Sequence, residues 1–213
     1  MKKAPLVVIP LVLFSMLVIF LFQGLFSDPR ELDSQVKGKP LPEFALPDLM
    51  QPDTTYTPDS LKGEVTIVNV WGVWCVTCAV EMPYLTQLKD ELGVKFVGLY
   101  FDQDLDPDFG TKTLTRVQQE VTSMLRRYGN PYAFNIFDVY RDTSLDLGVT
   151  GAPEHFVLDA NGVIRMHHIG DINERVWQNK VGPLYQQLVA EANGETGTDI
   201  DDTDIKDIGR AEE

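Results

Sequence analysis

The segment that decides the fold reads VTIVNVWGVWCVTC and covers residues 65–78. Its first six residues are nearly all apolar and β-branched, which is typical of a strand buried on both faces. Cys75 and Cys78 follow directly. The next apolar residues recur at helical spacing and end at a glycine: Met82, Leu85, Leu88, Leu92 and Gly93. The segment therefore predicts a strand that leads through a Cys-x-x-Cys motif into a helix, which Pro83 should kink.

A second apolar strand, from Val94 to Tyr100, completes a βαβ unit and predicts a parallel strand pair. The next segments predict a helix over Leu114–Tyr128, a strand over Asn135–Val139 and a helical turn over Leu145–Leu147. A hairpin follows, in which Glu154–Asp159 pairs with Val163–His168 across the turn Asn161-Gly162. The last predicted element is a helix over Glu174–Ala192, interrupted near Gly182-Pro183. Short edge strands are expected in the proline-rich lead-in up to Pro58. The fold class is thus α/β, with a central mixed sheet flanked by helices.

The composition limits the classes of function. The chain has 213 residues, of which 44% are hydrophobic and 10% aromatic, so it can bury a core. Its net charge of −14 argues against nucleic acid as a partner, because so acidic a surface repels phosphates. With only two cysteines, a scaffold of several disulfides and a four-cysteine zinc site are both excluded.

The ends of the chain differ from its middle. Residues 1–27 hold an almost unbroken apolar run from Ala4 to Phe22, which favours a retained signal anchor or transmembrane helix over a cleaved signal peptide, although both stay open. Residues 28–38 are a polar tether, and residues 39–190 form the folded domain. Residues 191–213 carry nine acidic and two basic residues and no aromatic residue, which predicts a disordered acidic tail.

The charges beside the apolar run predict the location. Lys2 and Lys3 precede it and should stay in the cytoplasm by the positive-inside rule. The domain would then be held by a single span in the inner (cytoplasmic) membrane and face the periplasm, where disulfides can form.

The two cysteines predict thiol-disulfide exchange. The N–H groups and the dipole of a helix N-terminus favour a thiolate at Cys75 by lowering the pKa of that thiol. Cys75 is therefore the expected nucleophile, and Cys78, one turn further on, would resolve the mixed disulfide. Trp71 and Trp74 would shield the pair and shape the docking surface.

Other uses of the cysteines are less favoured. A zinc site would need two more ligands, and His167 and His168 point to opposite faces of a strand, so we expect neither a metal nor another cofactor. A purely structural bridge over so short a loop would add little stability. Pro153 stands before the predicted strand at Glu154, and a cis bond at Ala152-Pro153 would present backbone to a peptide lying across the dithiol.

These residues resemble the thioredoxin superfamily. Further stretches narrow the likeness: Val68-Asn69-Val70-Trp71, Glu81, Gly129-Asn130-Pro131-Tyr132, Asp146-Leu147-Gly148-Val149, Gly151-Ala152-Pro153-Glu154 and Gly170-Asp171. Together they resemble the membrane-anchored thioredoxin-like proteins of cytochrome c maturation, the CcmG/DsbE family, over roughly residues 40–188.

The resemblance implies a thioredoxin-like fold and a protein-disulfide reductase. Such proteins receive electrons from a membrane thiol transporter of the DsbD or CcdA kind. They reduce the disulfide at the haem site of apocytochrome c, directly or through a CcmH-like maturation partner.

The resemblance also assigns roles to single residues. Pro153 matches the cis-proline position, Trp74 the tryptophan before the motif, and Glu81 and Glu154 the acidic residues that tune the thiols and the choice of partner. Such carboxylates near the sulfurs would make the protein a reductant.

Two positions depart from the family's pattern. Val76 stands where proline is usual, and it puts the reduction potential in doubt. His155 stands where threonine is usual, and it is either an ordinary strand residue or a titrating neighbour of Cys75.

Two alternatives to this function stay open. One is a general exported reductase of the TlpA or ResA kind. The other is a non-catalytic, chaperone-like module that binds apocytochrome and in which the cysteines are dispensable.

Overall fold

The computed structural model describes residues 35–101 and 112–194, together with residues 11, 13–18, 20 and 22, which are helical. Most of the predicted anchor and nearly all of the acidic tail lie outside the described residues. In the part of the chain that is described, no helix combines the length and the apolar character that crossing a membrane requires.

The predicted α/β fold with a mixed sheet is confirmed. The five-stranded sheet has the order β5-β4-β3-β6-β7, and its strands are β3 Thr66–Trp71, β4 Lys95–Phe101, β5 Tyr132–Asp138, β6 Glu154–Leu158 and β7 Ile164–Ile169. Strands β3, β4 and β5 are parallel, while β6 and β7 are antiparallel to their neighbours. In the lead-in, β1 Leu46–Pro47 and β2 Thr55–Tyr56 pair as a small antiparallel sheet, as expected of short edge strands.

The helices begin and end close to the predicted places. They are α1 Val76–Leu92, α2 Leu114–Tyr128, α3 Asp142–Asp146, α4 Glu174–Val176 and α5 Gly182–Ala192, and a 3₁₀ turn covers Pro58–Leu61. Helix α1 continues through Pro83 and ends at Gly93, whose φ of 68° lies in the left-handed region that glycine adopts easily.

One predicted boundary, the start of β5, was wrong. Strand β5 begins at Tyr132 instead of Asn135, because Tyr132 already pairs with Phe96 of β4, with an irregularity in the register before Gly98. The last helix is interrupted close to Gly182-Pro183, as predicted, by a change of helix type directly before Gly182. A π-helical turn over Trp177–Val181 joins α4 to α5. Pro183 stands in the first turn of α5, where a missing backbone N–H costs little.

The sheet separates two apolar cores. One face carries Ile67, Trp71 and Val157 and is covered by α1, α2 and the C-terminal helices. The other carries Val68, Val70 and Phe156 and is covered by the lead-in and Leu147 after α3. Because neighbouring strand residues point to opposite faces, this division decides which polar side chains reach α1.

Candidate redox site

The two cysteines lie where the sequence predicts, at the N-terminus of α1. They form a disulfide with 5.3 Å between the Cα atoms. Cys75 is the N-cap residue, and its Sγ accepts a hydrogen bond of 3.1 Å from the Cys78 backbone N–H. Cys75 is 5% exposed and Cys78 is completely buried. A partner therefore reaches the sulfur of Cys75 first.

An apolar surface adjoins the disulfide. Val76 and Val80 lie one helical turn apart on α1 and are 78% and 72% exposed. Side chains at this spacing share one side of a helix. The helix thus presents uncovered apolar area beside Cys75, as a protein that binds other polypeptides requires.

The two tryptophans occupy different environments. Trp74 is half-buried, packs against the core cluster that contains both cysteines, and donates a hydrogen bond to the Phe101 carbonyl oxygen at 3.2 Å. Trp71 is completely buried and donates to Asn135 Oδ1 at 3.1 Å. The expectation that Trp71 shapes the docking surface is therefore wrong, because its side chain lies inside the core.

Glu81 is the centre of a buried polar network on the α1 face of the sheet. It follows Cys78 by three residues on α1 and is 3% exposed. Its Oε1 accepts from Asn69 Nδ2 at 3.0 Å, and its Oε2 accepts from the Ile172 backbone N–H at 3.1 Å. His155 Nε2 lies 3.3 Å from Oε2. A carboxyl group thus stands one helical turn from the buried cysteine and accepts hydrogen bonds from two fixed donors.

Two further groups enclose this network. Tyr132 donates to Asn69 Oδ1 at 2.6 Å, and burial together with the charge of Glu81 raises its pKa well above the ordinary value. His168 faces His155 across β6 and β7, with 6.1 Å between the ring centroids. Burial, followed by the charge of His155, lowers the pKa of His168 to about 4. Tyr132 therefore stays protonated and His168 stays neutral at neutral pH.

Glu154 lies on the opposite face of the sheet and is 1% exposed. Its Oε1 accepts from the N–H and the hydroxyl of Thr150 and from the N–H of Gly151, at 2.6–2.9 Å. Its Oε2 lies 2.7 Å from His167 Nε2. Burial alone would raise the pKa of Glu154, but the bonds from His167 and Thr150 outweigh it and lower that pKa. Glu154 fixes the loop before Pro153, and its effect on the thiols stays a prediction.

The peptide bond between Ala152 and Pro153 is cis, as the sequence allowed. Pro153 is buried, and its carbonyl oxygen accepts from the Gly170 N–H at 3.0 Å. Ala152 packs against the core cluster that contains the two cysteines. The loop before β6 thus packs against both apolar cores and is bonded to the residue that follows β7.

The predicted separation of His167 from His168 is confirmed. His155 and His168 lie on the α1 face, whereas His167 stacks on Phe156 on the other face, with 4.2 Å between the ring centroids. Within the described residues, no group of three or more His, Cys, Asp or Glu side chains is placed to hold a metal ion.

Asn69 and Tyr132 are parts of the site that were not predicted from the sequence. Asn69 could have been predicted, because it is the one amide in a strand of mostly apolar, β-branched residues, and a buried amide needs hydrogen-bond partners. Tyr132 gave no comparable signal. His155 proves to be a neighbour of Asn69 and Glu81, contacts that a single sequence does not reveal.

Known proteins with similar sequences are thiol:disulfide interchange proteins. The sequence pattern of the Redoxin family matches residues 36–187. The thiol:disulfide interchange protein DsbE of Vibrio cholerae is 42% identical over 189 residues, which cover 86% of this chain and 95% of that protein. DsbE of Escherichia coli K12 is 38% identical over 196 residues, covering 89% and 98%.

Solved structures confirm the fold. The thioredoxin domain of a thiol-disulfide oxidoreductase from Bacteroides vulgatus superposes with a TM-score of 0.53 at 17% identity, covering 75% of this chain and all of that domain. A secreted thiol-disulfide isomerase from Corynebacterium glutamicum gives 0.53 at 23% identity, covering 70% and 84%. At this level of identity the likeness bears on the fold alone.

Proposed function

This chain belongs to the DsbE thiol:disulfide interchange proteins of the Redoxin family and is a thiol-disulfide oxidoreductase; from that premise we propose that it is the membrane-anchored reductant of the apocytochrome c haem-site disulfide. The observation that carries the proposal is the disulfide at the start of α1, where Cys75 is slightly exposed and Cys78 is buried. Because of that difference, we assign Cys75 to the attack on the partner's disulfide and Cys78 to the resolution of the mixed disulfide.

The reaction begins with the reduced protein. The Cys75 thiolate, favoured by the helix N-terminus, attacks one sulfur of the partner's disulfide, and the other sulfur leaves as a thiolate. Cys78 then gives up its proton, and its thiolate attacks the Cys75 sulfur. The Cys75–Cys78 disulfide forms, and the partner leaves with both of its cysteines reduced. Two electrons have passed from this protein to the partner.

Glu81 supports the reducing direction. It is the buried carboxyl group three residues after Cys78 on α1, a spacing at which side chains are neighbours, so we assign it the Cys78 proton, and a negative charge there opposes thiolates in the same region. A site that disfavours thiolates favours the disulfide, and the reduced protein then gives up electrons readily.

The two partners follow from this direction of electron flow. A membrane thiol transporter of the DsbD or CcdA kind would reduce the Cys75–Cys78 disulfide again. Apocytochrome c, or a CcmH-like maturation protein, would accept the electrons. The exposed Val76 and Val80 beside the sulfur suit a polypeptide partner.

The apolar run from Ala4 to Phe22 supports an inner-membrane location. It follows Lys2 and Lys3, so a retained helix would leave the redox domain in the periplasm. There the domain can meet both an electron donor in the membrane and apocytochrome c.

The test is complementation of a strain that lacks its own DsbE protein. The wild-type chain should restore covalently bound haem in c-type cytochromes, and Cys75→Ser should not. A Cys75→Ser chain that restores it would contradict a redox role and identify a binding module.

A trapping variant identifies the electron acceptor. With Cys78→Ser, the mixed disulfide on Cys75 cannot be resolved and should hold apocytochrome c or a maturation protein. Capture of assorted exported proteins instead, with normal cytochromes in the deletion strain, would identify a general reductase of the TlpA or ResA kind.

A further inference from the structure

We propose that His155 is a positioning residue which shares a proton with Glu81 and so helps Cys78 to lose its proton when it resolves the mixed disulfide. This rests on the proposed function only in that Cys75 and Cys78 exchange disulfides. The proposal adds a second base to the Glu81 carboxylate, namely the ring nitrogen of His155 on β6.

His155 lies inside the network around Glu81. It is completely buried on the α1 face of the sheet. Its Nε2 lies 2.6 Å from Asn69 Nδ2 and 3.3 Å from Glu81 Oε2. One ring nitrogen therefore faces both an amide donor and a carboxylate oxygen.

The amide of Asn69 fixes the tautomer of His155. Tyr132 donates its hydroxyl hydrogen to Asn69 Oδ1, and an ionised Glu81 accepts from Asn69 Nδ2. Both contacts direct the NH₂ group towards Glu81 and His155, and its second hydrogen meets Nε2. Nε2 is then an acceptor, and the single ring proton of a neutral His155 sits on Nδ1.

This arrangement leaves an unused group in the core. Nδ1 of His155 is buried and finds no hydrogen-bond partner among the described residues. A buried N–H without a partner opposes folding. The lone pair of Nε2, which here accepts the Asn69 hydrogen, also faces the Glu81 carboxyl group, so a proton that arrives on Oε2 can replace that hydrogen and be shared with the ring.

The titratable groups that surround His155 come from several elements of the fold. From β7 it faces His168, which stays neutral at neutral pH, and beyond His168 lie Asp171 and Lys180. From α1 it faces Glu81, and through Asn69 of β3 it connects to Tyr132 of β5. Among the residues that the structure describes, Glu81 is thus the carboxyl group that faces the ring directly.

The proposed step moves one proton and no additional electrons. The Cys78 thiol gives its proton to Glu81 Oε2, and this proton replaces the Asn69 hydrogen at His155 Nε2, so that one hydrogen bond breaks as the other forms. The Cys78 thiolate attacks the Cys75 sulfur, and the partner's thiolate leaves. When the disulfide is reduced again, the proton returns to Cys78.

A two-step assay isolates the step. When the reduced full-length protein, kept in detergent, reacts with dithiobis(nitrobenzoate), Cys75 releases one coloured thiolate as it forms the mixed disulfide. Cys78 releases the second as it resolves that disulfide. The second phase depends on the proton transfer, whereas the first does not. An absent first phase would contradict the proposed function, and a change in the second phase alone bears on His155.

Two variants separate proton sharing from packing. His155→Thr removes the ring, and His155→Gln keeps a side chain that hydrogen-bonds to Asn69 but does not take a proton at neutral pH. Both variants should slow the second phase about tenfold and leave the first phase unchanged. The expected factor is smaller than the loss of a complete general base would cause, because Glu81 is still present. The second phase should be flat across the neutral pH range in wild type and rise with pH in both variants, since Glu81 alone then takes the thiol proton less readily and removal of that proton by solvent carries more of the step. The matched control is His168→Gln, which should resolve at the wild-type rate.

Isotope-labelled histidine provides a readout that does not depend on variants. The chain has three histidines, and their ring-nitrogen chemical shifts report tautomer and charge. We expect His155 in the oxidised protein to be neutral with its proton on Nδ1. An Nε2–H tautomer there, or a second phase restored to the wild-type rate by His155→Gln, would overturn the proposal.

Discussion

The carboxylate of Glu154 and the imidazole of His167 form a pair with 2.7 Å between Oε2 and Nε2, and both side chains are buried, at 1% and 7% exposure. The pair joins the start of β6 to β7 on the face of the sheet opposite α1. Because the other carboxylate oxygen holds the N–H groups of Thr150 and Gly151, this one side chain connects the loop before Pro153 to the sheet.

Glu154 should make the fold sensitive to acid. Its pKa is lowered in the folded protein, so the stability it contributes is complete above the carboxyl pKa of the unfolded chain and is lost as the pH falls through the lower, folded-state value. Glu154→Gln should cost about 1–3 kcal/mol at neutral pH, because it leaves buried donors poorly paired. It should also flatten the acid side of the stability profile. Urea unfolding between neutral and acidic pH measures both.

The control for that measurement is Glu43→Gln, because Glu43 is an exposed carboxylate of the lead-in. It should leave stability within about 0.5 kcal/mol of wild type at every pH. If Glu154→Gln behaves like Glu43→Gln, the carboxylate does not anchor the loop.

The reduction potential should lie nearer that of thioredoxin, about −270 mV, than that of DsbA, about −120 mV. Glu81→Gln removes a buried negative charge one helical turn from Cys78. This should raise the potential by about 30 mV, equivalent to about 1.4 kcal/mol for two electrons. Equilibration with a glutathione or dithiothreitol buffer measures both values.

A matched control lies on the same helix. Glu91 of α1 is exposed and accepts hydrogen bonds from Gln87, so Glu91→Gln should leave the potential unchanged. A wild-type potential above about −150 mV would contradict the reducing role.

Gly98 of β4 should tolerate no side chain. A Cβ atom there would overlap Asn135 Oδ1 and Trp71 Nε1, the two ends of a buried hydrogen bond. Gly98→Ala should therefore destabilise the protein by about 2–4 kcal/mol, through overpacking and the loss of that bond. Gly151→Ala is the control, since a Cβ atom there meets no described atom within 4 Å. Equal unfolding midpoints in urea for the two variants would contradict this account.

The redox pair could be predicted because its signals are local. A β-branched run, a Cys-x-x-Cys motif and a helical period follow one another within 30 residues, and each depends only on its immediate neighbours. The hairpin before the last helix was predictable for the same reason, since Asn161-Gly162 marks its turn.

The connections between polar groups could not be predicted, because they depend on strand register. Glu154 and His155 are adjacent in sequence, but they point to opposite faces of β6 and join different networks. Only the pairing of β6 with β3 decides which of them meets Glu81. In the same way, the amide in β3 finds Tyr132 across 63 positions of the chain, a distance over which a pattern in one sequence carries no information.

His168 should weaken the fold at mildly acidic pH. Its pKa falls from the ordinary 6.5 to about 4 because the ring is buried near His155. The unfolded chain therefore binds a proton below pH 6.5 that the folded protein refuses until about pH 4, and stability is lost over that interval. The loss amounts to about 3 kcal/mol. His168→Gln can still donate to the Asp171 carbonyl oxygen, as His168 Nε2 does at 3.3 Å, and should remove most of this loss. The C2 proton of His168, followed by NMR, would disprove the prediction by titrating near pH 6.5, because the ring would then be hydrated and not buried.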